Sequence, residues 1–251
     1  MYQAHLESDM AGQRRPTRSR YTPPAQVNAS TISNFLEQIG RRIPDQQGGL
    51  FSKTGEADPL VFWAGTLDLL RSPSICVIGA RSVSEEGRLR ARRISRELAT
   101  NGVTVVSGLA KGVDTAAHEA AIANGGTTAA VIGTPIDKCY PAENARLQEM
   151  IWRDHLLISQ FPSGRRTFPS DFPKRNRLMA AVTDGSIIVE ASDTSGSLHQ
   201  AVECVRLDRW LFIMKSVVDD PRLEWPRRFL NEPRVVVLSE TRDVVERVKP
   251  A

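Results

Sequence analysis

The sequence is poor in aromatic residues and cysteine, and it has no long apolar run. Aromatic residues make up 6% of the 251 positions, and the three cysteines, Cys76, Cys139 and Cys204, stand singly without a CxxC pair. This spacing excludes a zinc site and a disulfide framework, so we expect the thiols to be buried as small hydrophobic groups. No segment approaches the roughly 20 apolar residues that cross a bilayer, and the N-terminus lacks an apolar signal core. We therefore expect a cytoplasmic protein without a membrane partner.

The sequence also lacks a strong charge of either sign. Lys and Arg number 33 against 29 Asp and Glu, which gives a net charge of +4. A charge this small is compatible with a nucleic-acid partner but does not establish one. The placement of the cations along the fold is therefore more informative than their sum.

The composition changes along the chain and predicts three segments. Residues 1–30 are polar and include a basic stretch at 14–20, which predicts a disordered basic tail that either adds phosphate affinity or only improves solubility. In residues 31–71, Ile32, Phe35, Leu36 and Ile39 recur at helical spacing, which predicts a short helical lead-in. Residues 72–251 form the third and largest segment.

Short β-branched runs alternate with longer amphipathic segments in residues 72–251. Near-continuous apolar strands that alternate with helices are typical of a parallel sheet covered on both faces. We predict an α/β fold: an extended Rossmann-like, doubly wound, mostly parallel sheet with helices on both faces. The predicted strands are 75–78, 103–106, 127–132, 156–159, 186–190, 210–214 and 235–238.

Basic and small residues follow the first two strands of this predicted sheet. In open α/β sheets, ligands bind outside the carboxyl ends of the strands. The second strand leads through two glycines into a helix N-terminus, which presents unpaired N–H groups to an anion. We expect Asp114 to be the N-cap of that helix. The alternative to phosphate binding is that the two glycines are only turn residues. The sequence predicts a phosphate site formed by Arg81, Ser107, Gly108, Lys111 and Gly112.

Two further clusters precede and follow the predicted strand at 186–190. The first opens a helix with three cations and an amide, which suit a backbone phosphate but are alternatively a solvated face. The second places hydroxyls and a glycine at a helix start, where an anion is also favoured. The residues are Lys174, Arg175, Asn176 and Arg177 in the first cluster, and Ser195, Gly196 and Ser197 in the second.

Motifs of catalysis and cofactor binding are missing. The chain has neither GxxxxGK[ST] nor GxGxxG, and its four histidines show no metal-ligand spacing or catalytic-triad order. Glu190 is a possible general base, but the spacing identifies no partner for it. We expect His118 to be a packed, hydrogen-bonded histidine. The sequence therefore predicts a protein that is not an enzyme, with no catalytic residue, metal or cofactor.

The ordered motifs resemble those of the DprA/Smf family of DNA-processing proteins over residues 60–215. The match runs through GARS at 79–82, SGLAKGVDTAAH at 107–118, YPAEN at 140–144, FPKRNR at 172–177, and EA at 190–191 with SGSL at 195–198. The resemblance implies an extended Rossmann domain that binds single-stranded DNA, forms a homodimer and helps to load the RecA recombinase in transformation. It also implies that Arg81 and Lys111 contact DNA phosphates.

Single-strand binding further implies that bases stack on aromatic rings. The nearest candidates are Phe172, Phe168 and Tyr140, although we expect Tyr140 to pack into the core. The chain departs from the family at GTPI (133–136), where a Gly-rich turn is usual. After Arg234 only a short strand and helix fit where the family has a winged-helix-like domain. We therefore expect a divergent, minimal member.

There are two alternatives to DNA binding, and the first follows from the fold class. Related Rossmann-like folds include nucleotide phosphoribohydrolases and proteins that sense ADP-ribose-like molecules. The hydrolases carry a PGGxGT loop, whereas residues 193–197 read DTSGS, which disfavours a nucleotide-processing enzyme. The other alternative is a protein-interaction module without a nucleic-acid ligand.

Overall fold

The computed structural model describes residues 21–41 and 57–249. Within these ranges lie nine strands and eight α-helices. The strands are β1 (Asn28–Thr31), β2 (Leu60–Gly65), β3 (Ser74–Ile78), β4 (Thr104–Ser107), β5 (Thr128–Ile132), β6 (Leu156–Ser159), β7 (Gly185–Ile188), β8 (Trp210–Met214) and β9 (Val235–Leu238). The helices are α1 (Ile32–Gln38), α2 (Glu85–Thr100), α3 (Val113–Ala123), α4 (Ala145–Asp154), α5 (Asp171–Val182), α6 (Ser197–Arg206), α7 (Lys215–Val218) and α8 (Arg242–Val248).

All nine strands form one sheet in the order β1-β2-β6-β5-β4-β3-β7-β8-β9. The β1–β2 and β2–β6 pairs are antiparallel, and every other pair is parallel. From β3 the chain moves through β4 and β5 to β6, then crosses back to β7 on the other side of β3. The prediction of a doubly wound, mostly parallel α/β fold is confirmed.

The reversal of strand order between β3 and β7 positions the candidate site. Right-handed crossovers in opposite directions put the connecting helices on opposite faces of the sheet. Accordingly α2 packs on α3, and α5 packs on α6. At such a switch point, the loops after the two neighbouring strands diverge and leave a crevice at the carboxyl ends.

The central strands are buried on both sides, as their apolar sequences predict. Every residue of the five strands β3, β4, β5, β6 and β7 is buried. Cys76 and Cys204 lie fully buried in this core, whereas Cys139 is only half-buried in the loop after β5. The core prediction therefore holds for two of the three thiols.

The segment before β3 joins the sheet rather than standing apart from it. β1 pairs with β2, and β2 continues the sheet through β6. Residues 21–30, which we expected to belong to a disordered tail, are held by contacts with the domain. The Tyr21 hydroxyl donates to the Ile136 carbonyl at 2.8 Å, and the Trp152 indole N–H donates to the Thr22 carbonyl at 3.2 Å. The rest of the predicted tail, residues 1–20, lies outside the described residues.

Candidate functional site

A cavity of about 220 Å³ opens at the switch point, between the loops that follow β3, β4 and β7 and the first turns of α5. We call it the switch-point pocket. Six of the residues predicted from the sequence line it, although they come from three separate motifs. They are Arg81, Arg175, Asn176, Ser195, Gly196 and Ser197.

Gly112 allows the loops after β3 and β4 to touch. Its φ of 80° lies in the left-handed region that side chains disfavour. A Cβ here would overlap the carbonyl oxygens of Ala80 and Arg81. Gly112 therefore has a backbone role that brings the β3 loop, which carries Arg81, against the start of α3.

Asp114 is not the N-cap of α3, because Gly112 occupies that position. The buried Asp114 carboxylate instead accepts hydrogen bonds from the backbone N–H groups of Gly108, at 3.1 Å, and Ala110, at 3.3 Å. Burial raises the pKa of this carboxyl group, although the nearby Arg175 opposes the shift. The Gly108 amide, which we predicted to belong to the phosphate site, is thus bound by an internal carboxylate, as is the amide of Ala110.

Ser107 is likewise turned into the protein. Its side chain is fully buried, and its hydroxyl donates to the Val77 carbonyl of the neighbouring strand at 2.7 Å. Ser107 and Gly108 therefore shape the loop, and the cations around the pocket remain its candidate anion ligands.

Arg175 forms the buried floor of the switch-point pocket. Its side chain donates to the Val131 carbonyl at 2.8 Å and is packed so tightly against Gly108 that a side chain there would overlap the guanidinium. Burial lowers the pKa of Arg175, and Asp114 partly offsets this effect. The alternative of a solvated charged face is therefore wrong for this residue.

The other members of the 174–177 cluster point in different directions, since successive helical residues are about 100° apart. Lys174 is exposed. Asn176 donates to the Gly196 carbonyl at 3.2 Å, which ties α5 to the start of α6. Arg177 pairs with Glu203 of α6 at 3.3 Å, and neither it nor Lys174 lines the pocket. The helix divides the cluster into pocket, packing and surface positions.

Two hydroxyl groups mark the end of the pocket at the start of α6. Ser195 and Ser197 lie with their side-chain oxygens 2.7 Å apart, on either side of Gly196, which occupies the N-cap position. The positive end of the helix dipole and the hydroxyl protons both favour an anion here.

Lys111 lies at the rim, next to the pocket-lining Ala110. Its ammonium group is exposed and pairs with Glu143 at 2.8 Å. An exposed pair of this kind contributes little to stability.

Aromatic side chains stand at the mouth of the pocket. The guanidinium carbon of Arg81 lies 5.4 Å from the centre of the Phe172 ring, and the Tyr140 ring centre is 5.9 Å from that of Phe172. Tyr140 is 54% exposed, so our expectation that it packs into the core is wrong. A cation and two rings, from the loop after β3, the loop after β5 and the first turn of α5, thus lie next to one another.

A second group of rings and cations lies in the loop before α5. The Arg165 guanidinium carbon is 4.6 Å from the centre of the Phe161 ring and 5.4 Å from that of Phe168, and Arg166 also approaches Phe168, at 5.6 Å. Of these residues, only Phe168 was a candidate from the sequence, and Arg165 and Arg166 were missed. The sequence signal for this group was the pair Arg165-Arg166, which lies between Phe161 and Phe168.

The two potential acid–base groups near the site have structural roles. Glu190 accepts hydrogen bonds from the Ser84 amide, at 3.0 Å, and from the Ser84 hydroxyl, at 2.5 Å, at the N-terminus of α2. His118 is buried and contacts Thr128 at 2.7 Å, which confirms that it is a packed histidine.

Residues 21–41 and 57–249 show neither a metal-binding cluster nor a membrane-spanning helix. Within them, no group of three or more His, Cys, Asp or Glu side chains is arranged to hold a metal ion. In the same ranges, no helix is long and apolar enough to cross a membrane.

The chain is similar in sequence to bacterial DNA-processing proteins. It is 39% identical over 188 residues to DNA processing protein DprA of Streptococcus pneumoniae, covering 75% of this chain and 66% of that protein. It is 32% identical over 190 residues to protein Smf of Escherichia coli, covering 75% and 50%. The match thus spans about half to two thirds of the length of these curated relatives.

Solved structures show the same fold. The X-ray structure of DNA processing protein A from Streptococcus pneumoniae matches with a TM-score of 0.73 and 33% identity, covering 90% of this chain and 76% of that one. DNA processing protein A from Helicobacter pylori, whose structure addresses how it binds single-stranded DNA, matches with a TM-score of 0.68 and 25% identity, covering 88% and 95%.

The family model that matches is DNA recombination-mediator protein A, which aligns with residues 43–249. This range contains every motif on which the sequence resemblance was based, and that prediction is confirmed. The chain belongs to the DprA/Smf family of DNA-processing proteins.

Proposed function

We propose that this protein binds single-stranded DNA at the switch-point pocket and holds it without catalysing a reaction. The observation that carries the proposal is the arrangement of Arg81 over Phe172, beside the exposed Tyr140, at the pocket mouth. Single-strand binding needs cations for the backbone and flat rings for the bases, and both occur together here. The Helicobacter pylori relative, which binds single-stranded DNA, supports the choice of ligand.

In this proposal some of the predicted site residues contact DNA, and the others support the pocket. Arg81 and Lys111 are the phosphate contacts of the proposal, with exposed Lys174 as an extension. Ser195 and Ser197 offer hydroxyl groups and a helix N-terminus to a phosphate at the other end of the pocket. In the proposal the remaining predicted residues shape the loops, pack the helices or, in the case of Gly196, cap α6: Ser107, Gly108, Gly112, Arg175, Asn176, Arg177 and Gly196.

The absence of catalysis is part of the proposal, and the engagement of the carboxylates supports it. Asp114 is the acidic residue that lines the switch-point pocket, and it already accepts two backbone hydrogen bonds. Glu190 is occupied at the start of α2. Incubation with a panel of nucleoside monophosphates is expected to release no free base. Release of a base would replace this proposal with the nucleotide-processing alternative.

The proposed biological setting rests on family membership. We propose that the protein acts in the cytoplasm as a homodimer and helps to load RecA on the strand that it holds. Light scattering on the purified protein, and capture of RecA in the presence and absence of single-stranded DNA, test these two partners separately. A monomer, or RecA capture no better than that of an unrelated DNA-binding protein, would contradict them.

The site assignment is tested with Arg81→Ala combined with Lys111→Ala. Fluorescence anisotropy with a labelled single strand should show at least tenfold weaker binding. The slope of log K against log salt should flatten by about 1.4, which corresponds to two lost phosphate contacts. A duplex of the same sequence should bind more weakly than the single strand to the unmodified protein.

The matched control is Arg71→Ala combined with Arg96→Ala. Both side chains are exposed, both pair with a nearby carboxylate, and both lie toward the amino ends of the strands. This control removes the same charge and should bind nearly as the unmodified protein does. If both double variants lose the same affinity for the single strand, the loss is due to net charge alone and the assignment of the site is wrong.

A further inference from the structure

The loop between β6 and α5 carries a preformed stack of rings and a cation outside the switch-point pocket. The Arg165 guanidinium contacts the rings of both Phe161 and Phe168. Phe161 is buried, whereas Phe168 is 45% exposed. The stack therefore begins in the core and ends in a ring that is open to solvent.

Arg165 is held in place by the first residue of α5. Its two terminal nitrogens donate to the Asp171 carboxylate at 2.7 and 2.9 Å. Asp171 is fully buried, and it also accepts from the Phe168 backbone N–H at 2.8 Å. One carboxylate thus orients both the exposed ring and the cation that supports it, so little conformational entropy is lost when a ligand stacks on Phe168.

Arg166 differs from Arg165 in its freedom to meet a ligand. It is exposed, and its guanidinium carbon lies over the Phe168 ring at 5.6 Å from the ring centre. No ion pair with a carboxylate is seen for it among the described residues. A ring for a base with a neighbouring cation for a phosphate is the combination that recognises a nucleotide unit.

The same loop is joined to the proposed DNA site. Asp171 immediately precedes Phe172, which lies under Arg81 at the pocket mouth. Phe172 is four positions after Phe168, and even a fully extended chain of that length spans only about 14 Å. The Asp171 amide bonds back to the Phe168 carbonyl at 3.0 Å, which shortens the separation further. A single strand at Phe172 is therefore within a few nucleotides of Phe168.

We infer that Phe168, supported by Arg165 and flanked by Arg166, is a second stacking site that binds a nucleotide of the same single strand outside the switch-point pocket. This inference rests on the proposed function and adds a direction to it. The strand leaves the pocket past Phe172 and continues over the loop before α5. Arg166 neutralises a phosphate there, whereas Arg165 acts as a positioning residue for the ring.

The test compares Phe168→Ala with the unmodified protein on oligothymidylates of increasing length. The shortest strands, which fill only the pocket, should bind both proteins equally. Beyond a threshold length the unmodified protein should gain affinity. On these longer strands the variant should bind about five- to tenfold more weakly than the unmodified protein, as expected for the loss of one stacked base. Phe168→Tyr should restore it, because the ring is kept. Leu89→Ala, which truncates an exposed side chain on α2, is the control and should retain the full gain.

A strand with abasic sites separates stacking from a structural role of the ring. Replacing all bases outside the pocket-filling segment should weaken binding to the unmodified protein and have little further effect on Phe168→Ala. Arg166→Ala should flatten the salt slope by about 0.7 on long strands and not on short ones. If Phe168→Ala binds all lengths as the unmodified protein does, this inference is wrong while the proposed function stands. If the unmodified protein binds no single strand, the proposed function itself fails.

Discussion

His118 shows how burial fixes the protonation state of one side chain. The Thr128 hydroxyl lies 2.7 Å from His118 Nδ1 and donates its only proton to the Val105 carbonyl at 2.7 Å. The imidazole must therefore donate through Nδ1, which leaves Nε2 unprotonated and without a partner among the described residues. Burial is the main cause that lowers the pKa of His118 to about 3.

The resulting stability change with pH is testable. Because the unfolded chain binds the His118 proton near pH 6.5, the free energy of unfolding should be undiminished above that pH and fall as the pH drops toward 3. The group contributes up to about 1.4 kcal/mol per pH unit. His118→Asn, which keeps a donor near Thr128, should be less stable at neutral pH but show a flatter dependence in urea unfolding between pH 7 and 5.

The control for this experiment is the exposed His199. His199→Asn should follow the pH dependence of the unmodified protein. If His118→Asn also keeps the original slope, acid destabilisation arises elsewhere in the molecule.

The loop before α5 is held by a single carboxylate. Asp171 binds Arg165 and the Phe168 amide. Burial alone would raise the pKa of its carboxyl group, but these donors outweigh burial and lower it. The charged form is thus the one that the fold stabilises, and the contribution is present at neutral pH and lost on acidification below about 4.

Asp171→Asn should release this loop. Loss of charged hydrogen bonds should reduce the free energy of unfolding by about 1.5–3 kcal/mol, measured by urea denaturation at pH 7. Trypsin should cut faster after Arg165 and Arg166. Asp219→Asn, which breaks an exposed pair with Lys215, should cost less than about 1 kcal/mol. Equal stability and equal cleavage rates for Asp171→Asn and the unmodified protein would refute the role of this carboxylate.

At the scale of the whole molecule, the segment before β3 is an integral part of the sheet. Besides the strand pairing, Arg41 contacts the Asp184 carboxylate and donates to the Ser74 hydroxyl at 3.1 Å. It thereby joins the end of α1 to the start of β3 and to the residue just before β7. These contacts link the lead-in to the centre of the sheet.

The continuous sheet predicts one cooperative unfolding transition. Trp63 reports on β2, whereas Trp210 and Trp225 lie toward the other edge of the sheet. Tryptophan fluorescence and far-ultraviolet circular dichroism should therefore give coincident urea curves. Arg41→Ala should shift both curves together to lower urea. Two separated transitions would show that the lead-in unfolds as an independent unit.

The sequence by itself determined the family and the strands from β3 onward, but not β1 and β2. Apolar runs such as 75–78 and 128–132 require cover on both faces, and this requirement can be read from neighbouring residues because hydrophobic burial follows a local period. The motif series in order along the chain predicted the family, which the family model confirmed. The site residues as ligands of DNA remain predictions.

Only the tertiary structure decided what each residue of those motifs does. Arg175 lies under Gly108, Asp114 binds the loop amides, and Tyr140 stands exposed beside Phe172. Each role depends on a partner from another element or loop, whose direction and distance no local pattern encodes. The net charge of +4 likewise does not show where the cations lie. The crossover from β6 to β7 brings cations from separate motifs to one edge of the sheet.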